Sequence, residues 1–199
     1  MISVKERFIV MPKFELVPIN EVDPQKTGED LFESARDDMT RLQLRLFLPG
    51  ALSYGESLEV AQKRIQANQQ AAQSDSRFDP LVQTVDERAV GMASIDERLR
   101  ATRCTICAMP LGEIAVLGPN TSSWISNPYQ GQGYGKLSLE KRIERTRQAG
   151  HDGLWTVVDN ENIRSRKNVE DRGFKPVHNG QVLVGDQYYK DATVAQYNH

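Results

Sequence analysis

Trp124-Ile125-Ser126-Asn127-Pro128, followed by Gln130-Gly131-Gln132-Gly133-Tyr134-Gly135-Lys136, is the stretch that decides how this chain is read. A strand-like segment enters a glycine-rich turn, and a charged amphipathic helix follows from about Leu137 to Gln148. Glycines at 131, 133 and 135 leave backbone N–H groups uncovered by side chains. The helix N-terminus adds unpaired N–H groups of its own and a partial positive charge. Together they form a cradle suited to a phosphorylated ligand.

Three phosphate loops compete for the segment. A Walker loop needs glycine, four residues, then Gly-Lys-Ser/Thr; Gln130 stands where the first glycine should be, and Leu137 follows the lysine. A dinucleotide fingerprint needs G-x-G-x-x-G, and the last interval here is one residue short. The pattern Gln/Arg-x-x-Gly-x-Gly/Ala fits without adjustment, as Gln130, Gly133 and Gly135. In this respect the segment resembles the coenzyme A diphosphate loop of the GNAT superfamily of N-acyltransferases. Taken alone, it also reads as a tight turn that binds nothing.

A second motif lies downstream. Gly153-Leu154-Trp155-Thr156-Val157-Val158-Asp159 is a β-rich run, followed by Asn160-Glu161-Asn162-Ile163-Arg164-Ser165 and a short helical stretch ending at Arg172-Gly173-Phe174. This resembles the GNAT order of strand, Asn-x-x-Ser/Ala and a helix closing on Gly-Phe, with Asn162 and Ser165 in the first two places. Gly173 suits a left-handed C-cap, and Phe174 enters the next strand as core. Together the two motifs resemble the RimJ/RimL-like branch of the superfamily, which acetylates N-terminal residues of ribosomal proteins.

The resemblance implies an α+β fold of α/β/α layers: a mixed twisted sheet with helices on both faces and splayed fourth and fifth strands, spanning residues 1–199 as one domain. It implies acetyl-CoA as cosubstrate, held by Trp124, Ile125, Ser126, Gln130, Gly131, Gln132, Gly133, Tyr134, Gly135, Lys136, Asn162 and Ser165, with Asn162 reaching an amide of the pantetheine arm. The implied reaction is direct acetyl transfer to a primary amine. The acceptor is a small-molecule amine or a protein N-terminus.

Such a reaction needs a base for the ammonium and a backbone N–H for the oxyanion, the latter from Ile125 and its neighbours. The superfamily commonly places a tyrosine acid seven residues after the asparagine; that position is Val169 here. Valine cannot donate a proton, which motivates an alternative: a non-catalytic acyl-CoA-binding module. Glu113 and Asp159 are the carboxylates beside the expected central strands. Tyr188 and Tyr189 offer hydroxyls from the last strand, but adjacent strand residues face opposite ways. The basic residues after the loop, Arg142 and Arg145 among them, read as solvated helix faces paired with Glu140 and Glu144. Lys136 is the best placed to meet a phosphate.

Bulk composition is consistent with a globular chain, 39% hydrophobic and 26% charged. A net charge of −2 supplies no field for nucleic acid or an anionic membrane. No segment is long and apolar enough for a signal peptide or membrane span, so the expected compartment is the cytoplasm, and the expected state a monomer or homodimer. Cys104 and Cys107 are spaced C-x-x-C, but the three histidines lack matching spacing, so no metal is expected.

Along the chain, Phe14 to Val17 reads as a strand. Thr27-x-x-Asp30 reads as a capping box opening a helix with Leu31, Ala35, Met39, Leu42 and Leu46 on one face, up to Pro49-Gly50. Ser53-x-x-Glu56 opens a second, carrying Leu58, Ala61 and Ile65. Strands are expected from Leu81 to Thr105, from Gly112 to Ser126, and at Lys175–His178 and Gln187–Gln196, the last two joined by an Asn179-Gly180 turn. The run from Arg98 to Gly112 reads as an insertion or long hairpin that shapes the acceptor site.

Overall fold

The computed structural model of the protein describes residues 12–104 and 110–199. The chain opens with strand β1 (Phe14–Pro18), then helices α1 (Pro24–Arg36), α2 (Asp38–Phe47) and α3 (Leu58–Ser74). Asp23 starts α1: its carboxylate accepts the N–H groups of Gln25 at 2.7 Å and Lys26 at 3.2 Å, with Pro24 in the first turn. Thr27 and Asp30 are therefore not a capping box. Thr27 is buried within α1, and Asp30 instead accepts the N–H of Ala89 at 3.0 Å.

The single helix expected from Thr27 to Pro49 is broken at Asp37, whose backbone leaves the helical region at φ −55° and ψ 130°. The Asp37 carboxylate caps α2 by accepting the Thr40 N–H at 2.9 Å and the Thr40 hydroxyl at 3.0 Å. The break re-phases the second helix. Leu31, Ala35 and Leu44 point into the core, while Met39, Leu42 and Leu46 stand 50%, 48% and 56% exposed. Likewise α3 starts one turn later than expected. Ser57 accepts the Val60 N–H at 3.2 Å, and Pro49–Gly55 form a 3₁₀ segment. Ala61 and Ile65 are buried as their spacing suggests.

Next come β2 (Phe78–Val85), β3 (Arg88–Asp96), β4 (Ala101–Cys104), β5 (Pro110–Glu113) and β6 (Asn120–Ile125). Helix α4 (Tyr134–Gln148), β7 (Gly153–Asp159), α5 (Ile163–Glu170), β8 (Lys175–Val184) and β9 (Gln187–Asn198) complete the chain. The strands form one sheet in the order β1-β2-β3-β6-β7-β9-β8-β4-β5. Helices α1–α3 cover Val82, Met92 and Trp124 on one face. The alternate face of the central strands packs against α4 and α5 through Leu139, Ile143, Leu154, Val158, Val169 and Phe174.

One expectation fails in the C-terminal half. Asn179-Gly180 is not a hairpin turn. Strand β8 runs through it with a register shift between Gly180 and Val182, and the chain reverses at Gly185-Asp186. Asn179 and Gly180 pair with Thr193 and Ala192 of β9, register shifts fall on either side of them, and the Asn179 side chain accepts a bond from Asn160 at 2.8 Å. The run from Arg98 does form a hairpin, but β4 docks on β8 at the far edge, and none of its described residues lines the central cleft. Cys104 is buried there, which pushes its thiol pKa up. Cys107 lies outside the described residues.

The Asp37–Thr40 cap reaches further than α2, because the Thr40 hydroxyl also accepts the N–H of Asn127 at 2.7 Å, tying the helix to the segment after β6. We predict that Asp37→Ala costs about 1 kcal/mol of stability, the usual worth of an N-cap. Chemical denaturation checks it; a loss below a few tenths would contradict the cap.

Candidate active site

Strands β6 and β7 are the parallel neighbours, and they pair at one position, Asn120 opposite Trp155. The Thr156 hydroxyl donates to Thr121 O at 2.8 Å and the Trp155 N–H to Pro119 O at 3.0 Å, closing the root of the gap. Beyond it the two strands diverge. The Ser126 N–H donates to Val90 O at 2.8 Å, making that pair hydrogen-bonded. By antiparallel alternation, the main-chain groups of Ile125 and Ser123 then face away from β3, toward β7. They open into a cleft of about 420 Å³, walled by Trp124, Ile125, Val157, Val158 and the N-termini of α4 and α5.

The glycine-rich turn sits at the mouth. Gly131 and Gly133 have φ of 78° and 88°, left-handed values that a Cβ would strain, and a Cβ at either would meet nothing within 4 Å. Helix α4 begins at Tyr134, three residues earlier than the sequence suggests. The N–H groups of Lys136 and Leu137 turn back to Gly133 O at 3.0 and 3.1 Å. Those of residues 131–135 have no partner among the described residues. No side chain plugs them. Gln132 bends back to donate to Pro128 O at 2.8 Å, and Tyr134 is buried, stacked on Phe14 with ring centres 5.5 Å apart. Neither of these two side chains lines the cleft, nor does Ser126, which is buried behind β6.

Gln130 braces the turn. Its amide donates to Ile125 O at 2.8 Å and exchanges bonds with Gln43 of α2, and its oxygen accepts the Arg164 guanidinium at 2.8 Å. On α5, Asn162 is the N-cap, accepting the Ser165 N–H at 3.1 Å. Both side chains line the cleft, so the Asn162 oxygen holds the helix start before it can meet a ligand. The helix ends as its Gly-Phe pair suggests. Gly173 has φ 84°, and the N–H groups of Gly173 and Phe174 donate to Glu170 O at 2.9 Å and Val169 O at 3.2 Å, a Schellman closure. Asn168, not singled out in the sequence, also lines the cleft and donates to Gly135 O at 3.3 Å, joining α5 to α4.

Among the cleft-lining residues, Asp159 is the one carboxylate; it accepts the Glu161 N–H at 2.9 Å. Tyr189 lines the cleft beside it, and Tyr188 does not, as alternation along β9 requires. Burial, with the Asp159 charge adding to it, pushes the Tyr189 phenol up to about 12, so it is protonated at neutral pH. Glu113 stands exposed on β5, 3.6 Å from Arg100, and takes no part in the cleft. Val169, on the buried face of α5, packs in the core and also lines the cleft.

The basic wall is Lys136, Arg164 and Arg142. Arg142 is a correction to the solvated-face reading, being 3% exposed. It donates from Nε to Ser138 O at 3.2 Å, from Nη1 to the Thr121 hydroxyl and Ser122 O, and from Nη2 to the Ser123 hydroxyl at 3.0 Å. None of these acceptors is a carboxylate, and burial lowers its pKa to about 9. Its helical phase gives it away: Tyr134, Ser138, Leu139, Arg142, Ile143 and Thr146 form the buried stripe of α4.

A glycine-rich turn with unpartnered amides at a helix start, opening on a slot between parallel strands that pair at one position, is the geometry that the comparisons with known proteins must match. The chain belongs to the acetyltransferase (GNAT) family, whose model matches residues 37–174. No curated protein matches it in sequence. Among solved structures it is similar to RimL, a ribosomal alpha-N-protein acetyltransferase in complex with coenzyme A: TM-score 0.68, 15% identity and 93% of each chain covered. A ribosomal-protein-serine acetyltransferase assigned in Vibrio cholerae is similar at TM-score 0.67 and 18% identity, over 99% of this chain and 100% of that one. The microcin C7 self-immunity acetyltransferase, in complex with acetyl-CoA and AMP, is similar at TM-score 0.66 and 12% identity, covering 88% of each.

We predict that Gly133→Glu abolishes coenzyme A binding in calorimetry. The new carboxylate would stand among the free amides, while the left-handed φ costs only about 1–2 kcal/mol of stability. A variant that folds and retains wild-type affinity would contradict the loop assignment.

Proposed function

We propose that this protein transfers the acetyl group of acetyl-CoA directly to the α-amine at the N-terminus of a polypeptide. The observation that carries the reading is the set of unpartnered amides at residues 131–135, beside an open strand gap. Those amides, with Lys136 and Arg164, would hold the diphosphate. Trp124, Ile125, Asn162 and Ser165 flank the slot into which the pantetheine arm would extend. Gln132, Tyr134 and Ser126 would act only through their backbone or from behind.

Within the cleft, Asp159 would take the proton that the acceptor ammonium must lose. Tyr189, held protonated, would hand a proton to the departing thiolate. The tyrosine absent at Val169 of α5 would thereby be replaced from strand β9, which would answer the observation that motivates the non-catalytic alternative.

A protein acceptor is favoured by two things besides the ribosomal-protein acetyltransferases among the structural neighbours. Helix α2 lines the cleft through Thr40, Gln43 and Leu44, and beside them exposes Met39, Leu42 and Leu46 as a row that could meet a polypeptide. An α-amine, with a pKa of about 7.7–8.0, is also partly unprotonated at neutral pH. It therefore asks less of a single carboxylate than a polyamine does. Among the described residues no helix is long and apolar enough to cross a membrane, which is consistent with the cytoplasm as the proposed compartment.

The test is free-thiol release from acetyl-CoA with short peptides bearing a free or blocked N-terminus, a polyamine and an aminoglycoside. Release is expected with the free peptides alone. Release confined to the small amines would overturn the protein acceptor. Tight acetyl-CoA binding with no release from any amine would restore the non-catalytic alternative. In the active assay, Asp159→Asn should lower kcat/KM on the order of a hundredfold, the low end of the usual worth of a positioned acid or base, and Tyr189→Phe by less, because a coenzyme A thiolate leaves with little help. Acetyl-CoA affinity should be unchanged in both, and wild-type activity in either variant would remove that residue's role.

A further inference from the structure

Gln83 lies at 0% exposure in mid-β2, among strand residues that are otherwise mostly apolar. Its Nε2 donates to Met92 O at 2.7 Å and to Trp124 O at 2.7 Å. The second bond crosses strand β3 to reach β6, with which β2 does not pair. The crossing is possible because Gly91 lies between them, opposite Gln83 on one side and Ile125 on the other. A Cβ at Gly91 would sit 2.1 Å from Trp124 O, so that oxygen occupies the space where a side chain would stand. Two carbonyls facing the same end of the amide identify that end as the NH₂ group. The Gln83 oxygen has no partner among the described residues, so the two carbonyls account for its described bonding.

The consequence lies on the other side of the peptide. Trp124 C=O and Ile125 N–H are opposite ends of one trans peptide unit and point in opposite directions. A carbonyl drawn toward Gln83 turns the Ile125 N–H away from β3. The hydrogen-bonded Ser126–Val90 pair independently directs Ile125 the same way. That direction is the gap between β6 and β7.

We infer that Gln83 is a positioning residue, which pins the Trp124 carbonyl and so aims the Ile125 N–H at the oxyanion of the acyl-transfer step. The inference rests on the acetyl-transfer reading above. Gln83 does not line the cleft, and it acts through the main chain of β6. Gly91 supplies the opening through which it acts. Holding a donor rigidly before charge develops is what makes an oxyanion contact effective, and losing one such donor outright costs about 10²–10³ in kcat. A donor that remains but is no longer aimed should cost less.

The experiment compares wild type, Gln83→Leu and Gln83→Glu by amide NMR and steady-state kinetics, with acetyl-CoA as the probe. Adding acetyl-CoA should shift the Gly133 amide in all three proteins. The Ile125 amide should shift in wild type and move little in Gln83→Leu. In Gln83→Leu, kcat should fall about ten- to a hundredfold with the KM for acetyl-CoA unchanged. A Glu at this site regains an O–H donor only when protonated, so the activity of Gln83→Glu relative to wild type should rise as pH falls. Gln83→Leu should show no such rescue. A wild-type Ile125 response and a kcat within twofold in Gln83→Leu would overturn the inference. If Gln83→Leu does not fold, a flat relative pH profile for Gln83→Glu overturns it instead. Silence of both amides in wild type would mean that the acetyl-transfer reading itself has failed, and the positioning role with it.

Discussion

The parallel ladder between β6 and β7 stops after one pair, and the rest of the site follows from that. Each strand is fully engaged on its outer side, β6 along β3 from Asn120 to Ile125 and β7 along β9 from Gly153 to Asp159. The twist of a sheet this wide adds to their divergence. Below the gap, Thr156 and Thr121 staple the strands together. Above it, backbone groups that would ordinarily be paired face a cavity. Such groups are costly unless water or a ligand satisfies them. An extended ligand carrying its own amides is the natural complement, and the proposed diphosphate grip at the mouth would set where that ligand enters.

The charges are distributed to match. Lys136 and Arg164 are exposed near the mouth, where a cation can meet phosphate with little desolvation. Arg142 lies deeper, bonded to hydroxyls and carbonyls with no carboxylate, so its burial is only partly compensated. Asp159 and Tyr189 stand together, with the tyrosine kept neutral by burial and by its neighbour's charge. In the proposed transfer Asp159 is the base and Tyr189, held protonated, the acid. They come from β7 and β9, adjacent strands far apart in the chain.

The parts legible in the sequence were those whose chemistry is local. The glycines at 131 and 133 require left-handed backbone wherever the turn is used, and a helix must follow it. The Asn162 cap and the Gly173-Phe174 closure are likewise complete within a dozen residues. Helix starts further upstream were misread because rival caps lay close by: Asp23-Pro24 stood before Thr27, and Ser57 after Ser53. Asn179-Gly180 misled for a related reason. A sound turn signal inside a strand of ten residues is absorbed into the ladder, with the irregularities placed on either side of it, when the whole segment finds partners.

By itself, then, the order of residues determined the loop, the strand-to-helix succession, and the layered α+β class that accommodates them, because backbone geometry and hydrophobic period are carried by neighbours. Only the tertiary structure decided which carboxylate and which tyrosine share the cleft, that Arg142 is buried, and that Gln83 reaches Trp124 through the space left by Gly91. Each of those depends on strand register. A shift of one residue reverses every side chain's face, and register is set by pairing between segments that are remote in the chain.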